Sequence, residues 1–149
     1  MSREIRHTIE IAASPAVVWA LLTDTSSFSE WNPFIHRAQG ELRVGAKLDV
    51  NIAPPGGRPM SFKPTVLTVE PERELRWIGR FIMPGLVDGE HSFRLEPTEH
   101  GGTRFTQSER LSGLLVRALP GTLDKTQLGF EQMNGALKAR AEATPARSP

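Results

Sequence analysis

Residues Glu4 to Ile11 alternate, with Ile5, His7, Ile9 and Ile11 on one face and Glu4, Arg6, Thr8 and Glu10 on the other, which is the period of a half-buried strand. The alternation gives way to SPAVVWALL, where Ser14 is placed to cap a helix and Pro15 takes its first position, where a missing N–H costs nothing. That helix is predicted to end near Leu22. In TSSFSEWNPF, Ser27 and Glu30 have capping-box spacing, and Asn32-Pro33 stops a second short helix at Trp31.

From Ile35 to Leu111 strand follows strand. Lys47 to Ile52 points Leu48, Val50 and Ile52 inward, and PPGG at 54–57 is a turn. Met60 to Val69 is apolar at Met60, Phe62 and Val66 but also at Leu67 and Val69, which predicts a bulge or a change of buried face. After the EPERE turn, Glu74 to Phe81 sets Leu75, Trp77, Gly79 and Phe81 on one face and Arg76 and Arg80 on a solvated outer one. Met83 to Gly85 is the next turn. The last hairpin has Gly89, His91, Phe93 and Leu95 on the inner face of one strand and Thr103, Phe105, Gln107, Glu109 and Leu111 on that of the other. An apolar face thus carries an imidazole, an amide and a carboxylate. If Leu95 pairs with Phe105, His91 lies opposite Glu109; if Leu95 pairs with Thr103, His91 lies opposite Gln107 and diagonal to Glu109. Both registers keep the side chains within reach.

The period then changes to that of a helix, capped by Thr122 and running to about Ala143, with Leu123, Phe130, Met133 and Leu137 on one stripe. Thr126, Gln127 and Asn134 lie in or beside that stripe. Gly129 and Gly135 each cost about 1 kcal/mol relative to alanine in a helix interior, so this helix depends on packing. Residues 1–143 read as one α+β domain in which about seven antiparallel strands wrap the long C-terminal helix, the only element large enough to cover the apolar face of the sheet. Residues 144–149, TPARSP, are expected to be a frayed tail.

The stretches IEIAASPAVVWALLTDTSSFSEWNPF, GEHSFRLEP with GGTRFTQSERLSGLL, and GFEQMNGALKARAE together resemble the START/Bet v 1-like (SRPBCC) superfamily, in particular its bacterial polyketide cyclase/dehydrase-like members. The resemblance covers nearly the whole chain. It implies a helix-grip fold with a cavity between the sheet and the long helix, and a hydrophobic small molecule (a lipid, polyketide or aromatic compound) as ligand. The inward residues fit that expectation: Trp77, Phe81, Phe93, Phe105, Phe130 and Met133 would line the cavity, joined by Phe62 from the middle strands, while Gly79 and Gly89 leave space. Trp31 and Phe34 in WNPF would flank its mouth. A fully packed core with a few satisfied polar residues is the alternative reading of the same pattern.

Composition narrows the chemistry. At 149 residues the chain is long enough to bury a core with a pocket, and 18 Lys and Arg against 17 Asp and Glu leave a net charge of +1, too little to recruit nucleic acid or an anionic membrane. The absence of cysteine excludes disulfides, thiolate catalysis and Cys-based zinc sites. The charged start MSREIRHTIE has no apolar run fit for a signal peptide or a membrane span, which predicts a cytoplasmic protein. The four histidines show no HxH or HExxH spacing, so neither metal nor cofactor is expected, and Gly56-Gly57 and Gly101-Gly102 read as turns rather than phosphate loops.

What remains is His91 with Glu109. A carboxylate beside an imidazole favours the protonated ring and makes an acid/base pair; the plain structural reading is a buried hydrogen bond. His91, Gln107, Glu109 and Asn134 are the expected contacts for a ligand's polar end, whereas His7 reads as a satisfied core residue. Three functions are in view: binding of a hydrophobic small molecule; a cyclase or dehydratase with His91 and Glu109 as general acid and base; and a protein-interaction module, which requires an exposed apolar patch that the mostly charged outward strand faces do not offer.

Overall fold

The computed structural model describes residues 2–81, 85–118 and 120–144. The expected turn at Met83 and Pro84, the side chain of Phe81 and the tail beyond Thr144 lie outside the described residues. Strand β1 (Ser2–Ile11) leads into α1 (Pro15–Thr23), a turn of 3₁₀ helix at Thr25–Ser27 and the short α2 (Phe28–Trp31). Strands β2 (Ile35–Gln39), β3 (Asp49–Ile52), β4 (Met60–Phe62), β5 (Thr65–Glu70), β6 (Glu74–Phe81), β7 (Val87–Pro97) and β8 (Thr103–Ser112) follow. The chain closes with a 3₁₀ turn at Val116–Ala118 and α3 (Pro120–Ala143). This is the helix-grip arrangement, an antiparallel sheet curved around a long C-terminal helix, with eight strands where about seven were expected.

The strands form two sheets, one ordered β1-β8-β7-β6-β5 and a smaller one ordered β2-β3-β4. The run Met60 to Val69, expected to be one irregular strand, breaks at Lys63-Pro64 and changes sheet. Before the break Phe62 pairs with Val50; after it Val66 pairs with Trp77, with a register shift before Thr68. Proline has no N–H for a ladder, so a break there is the inexpensive way to hand the chain over. The Lys47–Thr65 bridge links the two sheets at the same place.

Local chemistry accounts for the helix ends. The Ser14 hydroxyl accepts from Val17 N at 3.3 Å, and Pro15 sits at the first turn of α1. The capping box expected at Ser27 and Glu30 does not form: Ser27 makes no cap bond, and its hydroxyl donates to Asp24 Oδ2 at 2.7 Å. The Ser27 and Ser26 hydroxyls hold the Asp24 carboxyl below the ordinary aspartate range. Asn32 ends α2, its Oδ1 accepting from the backbone N–H groups of Phe34 and Ile35 at 3.0 and 2.8 Å. On the outer face Arg76 is half-buried rather than simply solvated. It donates to Glu74 and Glu90, each at 3.1 Å, and these bonds, Glu74 first, raise it above its ordinary value.

One large core cluster lies between α3 and the five-stranded sheet and includes Phe34, Phe93, Phe105, Phe130, Met133 and Leu137; a smaller one joins Val87, Leu111, Val116 and Leu123. Gly129 explains why a poor helix former stands in α3. A Cβ there would sit 2.4 Å from Phe34 Cδ1, so glycine is what admits the Phe34 ring against the helix. No described helix is long and apolar enough to cross a membrane.

Candidate functional site

Antiparallel pairing arranges the inner face of the sheet in rows. Leu75, Phe93, Gln107 and His7 form one, Trp77, His91, Glu109 and Ile5 the next, and Gly79, Gly89, Leu111 and Arg3 the one after. Of the two registers open to the last hairpin, the one observed pairs Leu95 with Phe105 and therefore His91 with Glu109. The period-two pattern put these side chains inside; the register puts them side by side.

They form a continuous polar chain across a largely buried interface. His91 Nδ1 lies 3.5 Å from Glu109 Oε2, and His91 Nε2 is hydrogen-bonded to Gln107 Oε1 at 2.9 Å. Gln107 Nε2 donates to Asn134 Oδ1 on α3 at 2.8 Å. Asn134 Nδ2 reaches both His7 Nδ1 at 2.8 Å and the His7 carbonyl at 3.2 Å. Gln107 and Asn134 are fully enclosed, and leaving either unpaired would cost its whole desolvation penalty, so the chain accounts for polar residues on an apolar face. His7, which the sequence suggests is a lone core residue, is the anchor of the chain at its β1 end.

Aromatic rings surround the imidazole. Trp77 stacks on His91 with centroids 5.5 Å apart, Phe93 lies 4.6 Å away and Phe130 meets it edge-on at 5.1 Å. A ring packed this way on three sides is held in one orientation, with its two nitrogens aimed at Gln107 and Glu109. Glu109 is the member with room: its side chain keeps 15% of its exposure, against 6% for His91. The neighbouring row offers no side chain at Gly79 or Gly89.

The other expected site residues divide. Phe105, Phe130 and Met133 are closed to water and packed in the large cluster, Phe105 against Phe93 and Phe130 edge-on to Phe34. Phe62, half-buried on β4, packs against the edge of the same cluster. Trp31 packs on the rim of that cluster, edge-on to Phe28 and beside a surface depression lined with Asn32, Pro33 and His36. An open groove of about 700 Å³ runs along α1 past Ala12, Val17 and Leu21 and has neither His91 nor Glu109 in its walls. The conjunction of His91, Glu109, Gln107 and Asn134 is therefore the candidate site on chemical grounds, although this groove and the depression beside Trp31 lie elsewhere. Among the described residues no three His, Cys, Asp or Glu side chains come together as a metal site.

The sequence model of the family described as polyketide cyclase/dehydrase and lipid transport matches residues 2–142. Among solved structures, a protein from Chromobacterium violaceum is 22% identical with a TM-score of 0.74, over 95% of this chain and 98% of that one. A START superfamily protein from Mycobacterium smegmatis is 20% identical with a TM-score of 0.71, over 93% and 97% of the two chains. The di-domain ARO/CYC StfQ of the steffimycin biosynthetic pathway is 15% identical with a TM-score of 0.71, and the match covers 95% of this chain and 51% of that two-domain protein. Identities this low speak for the shared fold alone. No curated protein matches the chain.

Proposed function

The chain belongs to the polyketide cyclase/dehydrase and lipid transport family, and on that premise we propose that it binds a hydrophobic small molecule between α3 and the five-stranded sheet. The ligand's apolar body lies over the side-chain-free Gly79–Gly89 row and its polar end meets Glu109. The observation that carries this reading is an imidazole–carboxylate pair set among aromatic rings, its carboxylate partly exposed next to two facing glycines. Burial of apolar surface supplies the affinity and the few convergent polar groups supply the orientation. Gln107 and Asn134 are spent on each other, so they hold the imidazole rather than touch the ligand. Titration with Nile red tests the reading: saturable binding is expected, abolished in Gly89→Leu and in Gly79→Leu while circular dichroism reports a folded protein. Unchanged affinity in both folded variants sinks it.

A second reading has its own observation, the 3.5 Å approach of His91 Nδ1 to Glu109 Oε2 inside an aromatic shell. Cyclisation and dehydration need proton transfer and a pocket that folds the substrate, and such a pair supplies the first. The test is cyclisation of a synthetic linear poly-β-ketothioester followed by ultraviolet absorbance. Turnover lost in His91→Ala with Nile red affinity kept makes the protein an enzyme; turnover retained in that variant removes His91 from the chemistry.

A further inference from the structure

The hydrogen-bond chain has a fixed direction. The backbone carbonyl of His7 can only accept, and Asn134 Nδ2 lies 3.2 Å from it, so the amino group of the Asn134 amide faces β1 and its oxygen faces Gln107. Gln107 therefore gives its N–H to Asn134 and turns its oxygen to His91 Nε2 at 2.9 Å. An oxygen there requires a proton on Nε2. A neutral imidazole protonated at Nε2 carries a bare lone pair at Nδ1, and Nδ1 faces Glu109 Oε2 at 3.5 Å. Among the described residues the aromatic rings packed against the imidazole are Trp77 and Phe93 on the sheet and Phe130 on α3. Arg3, on the same face one row beyond, is exposed.

The second oxygen of Glu109, the one not turned to His91, is that of a carboxylate and therefore an acceptor. Among the described residues no other side chain hydrogen-bonds or ion-pairs with Glu109. We infer that the ligand's polar end is a hydrogen-bond donor, a hydroxyl, phenol or N–H group, and that ligands ending in a bare ketone, ether or carboxylate are disfavoured. This rests on the proposed binding site and adds the chemical class it takes. His7, Asn134 and Gln107 are positioning residues: they set which nitrogen of His91 is protonated and hold the ring beside Glu109.

Two matched probes test the inference, 2-naphthol and its O-methyl ether 2-methoxynaphthalene, which share a ring system and differ in the donor. The naphthol is expected to bind about tenfold tighter or better, the worth of one hydrogen bond to a charged group, and Glu109→Leu is expected to bring the two affinities together. Equal binding of both probes to the native protein overturns the donor preference and leaves the binding site standing. Binding of neither overturns the site itself. Independently of any ligand, ¹⁵N NMR of histidine-labelled protein, with His91 assigned through His91→Gln, is expected to show Nε2 protonated. In Asn134→Leu the Gln107 amide is free to turn, and that single-tautomer signal is expected to be lost. A bare Nε2 in the native protein, or an unchanged signal in Asn134→Leu, overturns the polarity argument.

Discussion

The two ends of the interface between α3 and the sheet are built differently. Toward the helix C-terminus, Phe105, Met133 and Leu137 meet with no exposure, joined through Phe130 to Phe34; toward its N-terminus, Val87, Leu111 and Leu123 keep 7–9% of theirs, and Gly79 and Gly89 contribute no side chain. His91 and Glu109 stand where one arrangement passes into the other. A close-packed end cannot admit a guest without losing the contacts that hold it, whereas an end built on small residues has fewer side-chain contacts to lose. The difference teaches that stability and ligand recognition are separable along this helix, with the polar chain as the divider.

The comparison breaks if substitutions at the two ends cost the same. Phe105→Ala removes a ring with no exposure and is expected to cost about 3–5 kcal/mol, near the whole stability of a small domain. Leu123→Ala, at the looser end where exposure is 9%, is expected to fall at the bottom of the leucine range, about 2 kcal/mol. Urea midpoints of the two variants decide it, and equal losses would mean a uniformly packed interface. Next in size is Asn134→Leu, at the divider. It leaves Gln107 Nε2 without its acceptor and is expected to cost about 1–3 kcal/mol, whereas a gain in stability would show that the chain is not held for its hydrogen bonds.

Two glycines on α3 sharpen the contrast. In Gly129→Ala the new methyl meets the Phe34 ring, itself buried, and overpacking of this kind costs about 1–3 kcal/mol. At Gly135 a Cβ has no heavy atom within 4 Å. Gly135→Ala therefore collects only the helix-propensity gain and is expected to stabilise by about 0.5–1 kcal/mol. Thermal denaturation reads both signs, and a stabilising Gly129→Ala would mean that Phe34 is free to move.

Which residues face inward was legible in the sequence, because period two and period 3.6 are local properties. The long helix and the hairpin of β7 and β8 followed from them. What the pattern left open was register, since sliding a strand pair by two residues keeps every side chain on its face while changing its partners. His91 opposite Glu109 was one of two possibilities, and His7 opposite Gln107 joins strands about two thirds of the chain apart. The pairing of His7 with Asn134 depends on how α3 lies across β1, which no local pattern encodes. Ser27 shows the converse failure: the spacing of a capping box was present, but Asp24 offered its hydroxyl a charged acceptor at 2.7 Å and the cap was forgone. Gly129 was visible only as a poor helix former; its use needed the position of Phe34.

The smallest expected effect lies at the far end of the close-packed half. Glu142 on α3 accepts from the backbone N–H of Ala12 at 2.9 Å and from Lys138 at 2.6 Å, tying the helix C-terminus to the junction of β1 and α1. The Ala12 bond first, then Lys138, holds its carboxyl below the ordinary glutamate value. Because the folded value is the lower one, the contribution is present above the unfolded value, about 4.3, and is lost as pH falls through the folded value. The group is exposed and screened by solvent, so the difference is small. Glu142→Gln is expected to be slightly less stable than the native protein at pH 7, with the gap closing as the pH is lowered past 4. A gap that widens on acidification would reverse the sign, and would place the tether between α3 and β1 on a partner other than this carboxylate.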